Sequence, residues 1–216
     1  MDAKLLEGKT AIITGASYGM GQSMAALFAE EGAAVVLTAR GKAKLDEVVE
    51  KIKSEGGRAV GVVADVCSTE DTKKVFETAL KEFGDVDILI NNAAIGEQKM
   101  IDETDDEWML TVMNTNLGGP MRYIREALKI FLPKNEGCII NISSVNGTRP
   151  FCGASYTSTK GAVNTLTKNV QMRLIDTNIR CNGYSGAFGE QSRKAGWRYE
   201  NAGTQQAFCV LSRPGM

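Results

Sequence analysis

The sequence predicts a parallel, doubly wound α/β sheet, and three observations carry that expectation. Apolar runs of strand length alternate with longer amphipathic stretches, the pattern left by parallel strands joined through crossover helices. Glycine is frequent, at 23 residues, and proline scarce, at 4, which suits many tight strand-to-helix turns. No linker, repeat or shift of composition divides the chain, so residues 1–216 are expected to form a single domain.

The elements follow in order. Residues 9–14 (Lys-Thr-Ala-Ile-Ile-Thr) read as a first strand, followed by Gly15-Ala-Ser-Tyr-Gly19-Met-Gly21 and a helical stretch over 22–31. Strand, glycine turn and helix together are the context in which a glycine-rich loop binds a nucleotide. Small residues let the backbone approach a pyrophosphate, and a helix N-terminus offers free N–H groups; on its own the triplet also fits a plain tight turn. The second strand, 34–38, ends in Thr38-Ala39-Arg40, without the acidic residue that would bind a ribose 2′-hydroxyl. Arg40 is therefore read as facing a 2′-phosphate, the alternative being a solvated side chain opening the next helix.

That helix, Lys42–Ser54, carries Leu45, Val48, Val49 and Ile52 at helical spacing. A third strand over 59–64 runs into Asp65-Val66. Ser68-Thr-Glu-Asp71 has the form of a capping box and opens a helix to residue 83. The fourth strand, 86–90, ends in Asn91-Asn92-Ala93-Ala94, where paired asparagines can bond a cofactor or simply make a turn. Thr104-Asp-Asp-Glu107 is a second capping box. In the helix after it, Asn116, Gly118, Gly119 and Pro120 predict an interruption that frees a backbone carbonyl.

The stretch 139–160 gathers the chemistry. Ile139, Ile140 and Ile142 make a fifth strand (137–143), and Ser143 and Ser144 stand at its end, where parallel sheets present ligands. A loop over 148–155 leads to a helix over 156–175, on which Tyr156 and Lys160 share a face. Hydroxyl, phenol and ammonium together can hand a proton to a carbonyl, with the ammonium expected to lower the phenol pKa. A sixth strand begins at 179–182.

Composition excludes other chemistries. With 25 Lys and Arg against 26 Asp and Glu, nothing points to nucleic acid or an anionic membrane. The absence of histidine excludes His-based triads and most catalytic metal sites, so no metal is expected. Cys67, Cys138, Cys152, Cys181 and Cys209 are odd in number and widely spaced, as in a reduced, cytoplasmic protein. No signal peptide or membrane-length apolar run is found.

Taken in register, Thr14-Gly-x-x-x-Gly-x-Gly21, Asp65, Asn92-Ala-Ala, Asn116, Ser144 and Tyr156-x-x-x-Lys160 resemble the short-chain dehydrogenase/reductase family over about residues 4 to 183. Within that family the chain resembles 3-oxoacyl-carrier-protein reductases and bacterial hydroxysteroid dehydrogenases. The resemblance implies a Rossmann-like dinucleotide domain that moves hydride between NADP(H), or alternatively NAD(H), and a ketone or secondary alcohol. It implies that Tyr156 is the general acid or base, and that Lys160 lowers its pKa and bonds the nicotinamide ribose. Ser144 would polarise the substrate oxygen, and Asn116 would hold a water of a proton relay. Gly15, Ser17, Tyr18, Gly19, Met20 and Gly21 would surround the pyrophosphate, with Asp65 and Val66 at the adenine and Asn92 and Ala93 along the adenosine side. It also implies a homo-oligomer, a dimer or tetramer.

Three departures stand out. Ser144 and Tyr156 are 12 residues apart, one fewer than the family pattern, and Tyr18 replaces the basic residue often found in NADP-preferring relatives. Residues 184–216 show neither helical nor strand period. They are read as an altered end that lacks the family's last edge strand, or as a lid carrying Phe188, Trp197, Tyr199 and Phe208. An altered substrate cover leaves open a second function, a cofactor-binding regulatory protein.

Overall fold

Each apolar run becomes a strand because both its faces are covered. A computed structural model describes residues 4–96 and 98–186. Strand β1 (Thr10–Thr14) leads to helix α1 (Gly19–Glu30), β2 (Ala34–Ala39), α2 (Lys42–Ser54), β3 (Arg58–Val63), α3 (Thr69–Phe83) and β4 (Ile88–Asn91). The second half holds α4 (Asp106–Met113), α5 (Gly119–Lys134), β5 (Gly137–Ile142), α6 (Ala154–Arg173) and β6 (Ile179–Tyr184). All six strands are parallel, in the order β3-β2-β1-β4-β5-β6. The order reverses between β1 and β4, so a crevice opens beyond their carboxyl ends, where doubly wound sheets bind ligands.

Side chains alternate across the pleat. Ile13, Val35, Leu37 and Ile140 face one layer with Met24, Phe28 and Leu45 from α1 and α2. Ile12, Val36, Leu89 and Ile139 face the other, with Val75, Phe76, Tyr123 and Phe131 from α3 and α5. Ile12 and Ile13 are wholly buried, and burying one such side chain stabilises by about 1.5–3 kcal/mol. Beneath the crevice a polar ladder crosses the sheet. Asn91 Nδ2 donates to Asn141 Oδ1 at 2.8 Å, and Asn141 Nδ2 to Thr167 Oγ1 at 2.9 Å. These buried amides lock β4, β5 and α6 in register, because an unpaired one would carry its full desolvation penalty.

Several expectations need local correction. Strand β3 starts and ends one residue earlier than read, and only Ala59 and Val62, one on each face, are buried, because it lies at the sheet's edge. The Ser68 hydroxyl caps α3 through the Asp71 N–H at 3.0 Å, but the Asp71 carboxylate turns away to accept the Asp65 N–H at 2.8 Å, so the capping box is half closed. At α4 the cap is Asp105, which accepts the Trp108 N–H at 2.7 Å; Thr104 cannot serve because its hydroxyl donates to the Met100 carbonyl. Helix α6 begins at Ala154, two residues before the expected start, and β6 extends to Tyr184. The interruption near Asn116 is a π-helical turn, Asn114–Gly118, joining α4 to α5. The readings of a missing last strand and of an aromatic lid fall on residues outside those described, apart from 184–186.

Candidate active site

The glycine loop owes its shape to close backbone packing. Gly15 has φ +65°, and a Cβ there would lie 2.8 Å from Ala93 Cα, so the ends of β1 and β4 touch backbone to backbone. A Cβ on Gly21 would collide with the Gly15 carbonyl and the Asn92 amide. Asn92 Nδ2 donates to the Thr14 and Gly15 carbonyls at 2.9 and 3.1 Å, and the Asn92 and Ala93 N–H groups both donate to Thr14 Oγ1 at 3.0 Å. The Asn92 side chain therefore shapes the loop from behind.

A cavity of about 630 Å³ lies over this junction. It is lined by Gly15 and the run from Ser17 to Gly21, by Arg40 after β2, by Asp65 and Val66 after β3, and by Asn92 and Ala93 after β4. Helix α1 points its N-terminus at it, with no side-chain cap and no acidic residue in its first turn. These groups fit a dinucleotide: a tight loop, free N–H donors and a cradle that added Cβ atoms would fill. Asp65 Oδ1 accepts the Cys67 N–H at 2.9 Å, which folds the carboxylate back onto its own turn. Arg40 is exposed and has no partner among the described residues. Lys44 lines the same rim, and α2 begins there without a side-chain cap or an acid in its first turn. The rim after β2 is thus cationic, while Tyr18 stands 68% exposed above the loop.

Ser144, Tyr156 and Lys160 gather at the end of β5. Ser143 and Ser144 separate in role: Ser143 Oγ donates to the Lys160 carbonyl at 3.0 Å, whereas Ser144 faces a second cavity, of about 580 Å³, together with Tyr156. The 12-residue spacing does not keep these two apart, and the Ser144 hydroxyl hydrogen-bonds the Tyr156 phenol. Asn146 explains how. Its Oδ1 accepts the Phe151 and Cys152 N–H groups at 2.9 and 3.0 Å, drawing in the loop, while its own N–H and Nδ2 both donate to Ser144 Oγ at 3.2 Å.

Sequence reasoning missed Asn146; its place two residues after Ser144, in the turn Val145–Gly147, was the available signal. Lys99, Trp108 and Cys152, which also line the second cavity, carried no such signal, because their segments are brought in by tertiary packing.

Lys160 is buried, 3% exposed, and Nζ donates to the Ile142 carbonyl at 2.8 Å while lying 5.6 Å from the Tyr156 ring centroid. Burial lowers its pKa from 10.5 to about 8. The expected lowering of the phenol pKa is not found. Burial raises it, the Ser144 hydrogen bond opposes that, and the nearby Cys152 thiol adds to the rise. The physical reason is geometric: the ammonium is directed at a carbonyl, and no hydrogen bond joins it to the phenol oxygen.

Asn116 is 1% exposed. Its Oδ1 accepts the Ile95 N–H at 2.8 Å, and Nδ2 donates to the Ile95 carbonyl at 2.9 Å and to Thr159 Oγ1 at 3.2 Å. Its side chain holds the segment that borders both cavities, Ile95 on the first and Gly96 on the second. Tyr156 and Lys160, assigned from sequence to the cofactor as well as to catalysis, do not line the first cavity.

Comparison with known proteins agrees with this geometry. The family model described as short chain dehydrogenase matches residues 9–190. An NADP-dependent 3-hydroxy acid dehydrogenase of Schizosaccharomyces pombe is 38% identical over 180 residues, 81% of this chain and 69% of that protein. The 3-oxoacyl-[acyl-carrier-protein] reductase FabG of Staphylococcus aureus is 35% identical over 182 residues, 83% of this chain and 74% of the relative. A crystal structure of a short chain dehydrogenase from Mycobacterium smegmatis superposes with a TM-score of 0.89 at 28% identity, over 99% of this chain and 95% of that one. The chain belongs to the short chain dehydrogenase family, a family of NAD(P)-dependent oxidoreductases.

Proposed function

We propose that the protein reduces a ketone, or oxidises the matching secondary alcohol, with Tyr156 as the proton-transferring residue and NADP(H) as the preferred cofactor. The observation that carries this reading is the meeting of Ser144 and Tyr156 on one cavity with Lys160 buried behind them. Ser144 Oγ accepts two hydrogen bonds from Asn146, so its own hydrogen is the one left to donate, to the phenol when the cavity is empty and to a carbonyl oxygen when it is filled. The dinucleotide, when bound, supplies or accepts the hydride at the substrate carbon. In reduction, the Tyr156 O–H gives its proton to the oxygen of that carbon. The raised phenol pKa keeps Tyr156 protonated and ready as an acid, and the Ser144 hydrogen bond stabilises the phenolate left behind. In oxidation the same proton returns to the phenolate. Relatives named for 3-hydroxy acids and 3-oxoacyl groups act on carbonyl chemistry of this kind.

The NADP preference rests on the cationic rim of Arg40 and Lys44 and on the missing acid after β2. Arg40→Ala is expected to weaken NADPH about 10- to 100-fold, the size of one or two charge-assisted hydrogen bonds, and NADH less than threefold. Fluorescence titration with each cofactor measures both. Equal losses for the two would remove Arg40 from the 2′-phosphate.

The oligomer is proposed on the outer faces of α5 and α6. There Met121, Leu128, Leu132 and Leu166 border an almost wholly apolar hollow of about 400 Å³, and Met121 is 52% exposed. Light scattering is expected to give at least twice 23.3 kDa, and Leu128→Arg to return the monomer mass. A monomeric parent at micromolar concentration would refute this. Among the described residues Cys67, Cys152 and Cys181 are in no disulfide, which fits the cytoplasm.

A further inference from the structure

The cavity before Ser144 and Tyr156 has one wall of a different kind. Gln98 and Lys99, after β4, and Trp108, in the first turn of α4, line it. The Lys99 carbonyl accepts the Ala154 N–H at 3.2 Å, which docks this segment against the start of α6 and so beside Tyr156. Among the described lining residues Lys99 carries the only formal charge.

Three donors on this wall are under-used. Lys99 Nζ lies 3.0 Å from Asp105 Oδ2, but both side chains are open to water, 45% and 60% exposed, and exposed pairs of this kind hold weakly. Asp105 also has separate work, capping α4 through the Trp108 N–H, so sharing Lys99 leaves that cap intact. Lys99 Nζ sits 5.7 Å from the Trp108 ring centroid. The Trp108 indole N–H itself is buried without an acceptor among the described residues. Among the described residues the Gln98 amide meets only the Cys152 sulfur, at 3.9 Å. An ammonium whose carboxylate partner Asp105 lies open to water, an unpaired indole N–H and a loosely held amide on one wall form a set of donors that a second, less hydrated negative charge would suit.

We infer that the substrate is an oxo acid, or the corresponding hydroxy acid, whose carboxylate is held by Lys99 with the Gln98–Trp108 wall while its carbonyl meets Ser144 and Tyr156. The inference rests on the carbonyl-reductase reading and adds the substrate's charge to it. Lys99 is then the specificity-determining residue: a carboxylate draws its ammonium to the wall, and the neutral ester of the same acid leaves it with the exposed Asp105.

The test compares acids with their methyl esters in the presence of NADPH: acetoacetate against methyl acetoacetate, and levulinate against methyl levulinate. In at least one pair kcat/KM is expected to favour the acid about 10-fold or more, as one charge-assisted contact allows. Lys99→Glu is expected to lower that acid-to-ester ratio by at least as much, with Lys99→Gln between the two. Esters matching acids in both pairs, or a ratio indifferent to Lys99→Glu, would overturn the inference.

Calorimetric titration of the NADPH-loaded protein with the same four compounds separates the two readings. Saturable binding of an acid, lost in Lys99→Glu, without any turnover, keeps the anion site and rejects carbonyl reduction. Absence of acid binding rejects the anion site, whatever neutral ketones do.

Discussion

Tyr156→Phe is expected to lower kcat for carbonyl reduction by about 10²- to 10⁴-fold, the usual contribution of a positioned general acid. The Kd for NADPH should stay within about threefold, because the phenol faces the second cavity and not the one formed by the glycine loop. The variant removes one oxygen and leaves the ring, so the packing of α6 survives and the loss reads out proton transfer. Its direction with pH is also fixed. The raised phenol pKa keeps the acid form present through neutral and mildly alkaline pH, so reduction holds there, while oxidation, which needs the phenolate, climbs with pH. Steady-state kinetics in both directions, with a cofactor titration alongside, checks all three statements. Full activity in the variant would end the assignment of Tyr156.

Lys160→Met is expected to do two opposite things: abolish most activity and stabilise the fold. Burial lowers the Lys160 pKa from 10.5 to about 8 in the folded protein. Below pH 8 both folded and unfolded chains hold the proton, and the cost of burying the charge is present in full. Between pH 8 and 10.5 the unfolded chain binds more protons, so stability rises with pH across that window.

The difference corresponds to about 3 kcal/mol. Methionine matches the lysine stem and carries no charge, but it leaves the Ile142 carbonyl unpaired, which returns about 1 kcal/mol. The variant should therefore be more stable at pH 7 by about 1–3 kcal/mol, and the advantage should shrink towards pH 10. Chemical denaturation of both proteins at the two pH values measures it. A variant less stable at pH 7, or an advantage independent of pH, would mean that the lysine is not held at a cost. A side chain kept against stability in this way is one the site needs charged.

Much of the fold was legible because its signals are local. The buried strands announce themselves as apolar runs, and Leu45, Val48, Val49 and Ile52 set α2 by period alone. The break at Asn116 was readable from Gly118, Gly119 and Pro120, although its π-helical form was not. Caps were less legible, since they depend on which of two adjacent polar side chains is already engaged: Thr104 yields to Asp105 for that reason.

At the site, Ser144, Tyr156 and Lys160 were readable as residue types at strand ends and helix spacings. The direction in which the Lys160 ammonium points was not, since it depends on the Ile142 carbonyl, eighteen residues back, and no pattern in the sequence encodes that meeting. The cationic wall was invisible for the same reason, because Lys99 and Trp108 reach the cavity only when the segment after β4 docks against the start of α6.

The Asn116 side chain has a further consequence. Its amide is a copy of the peptide group, and it pairs with Ile95 as a neighbouring strand would, taking the N–H and giving to the C=O. Its second amide hydrogen meets Thr159 Oγ1, which donates in turn to the Tyr156 carbonyl at 2.7 Å. One side chain thus does the work of an absent strand and ties that improvised pairing to the helix bearing the phenol. Aspartate has the shape but no donor, and glutamine has the groups but a longer reach. Of the common amino acids, only asparagine can counterfeit a backbone at this distance, and the alignment of the two cavities hangs on that imitation.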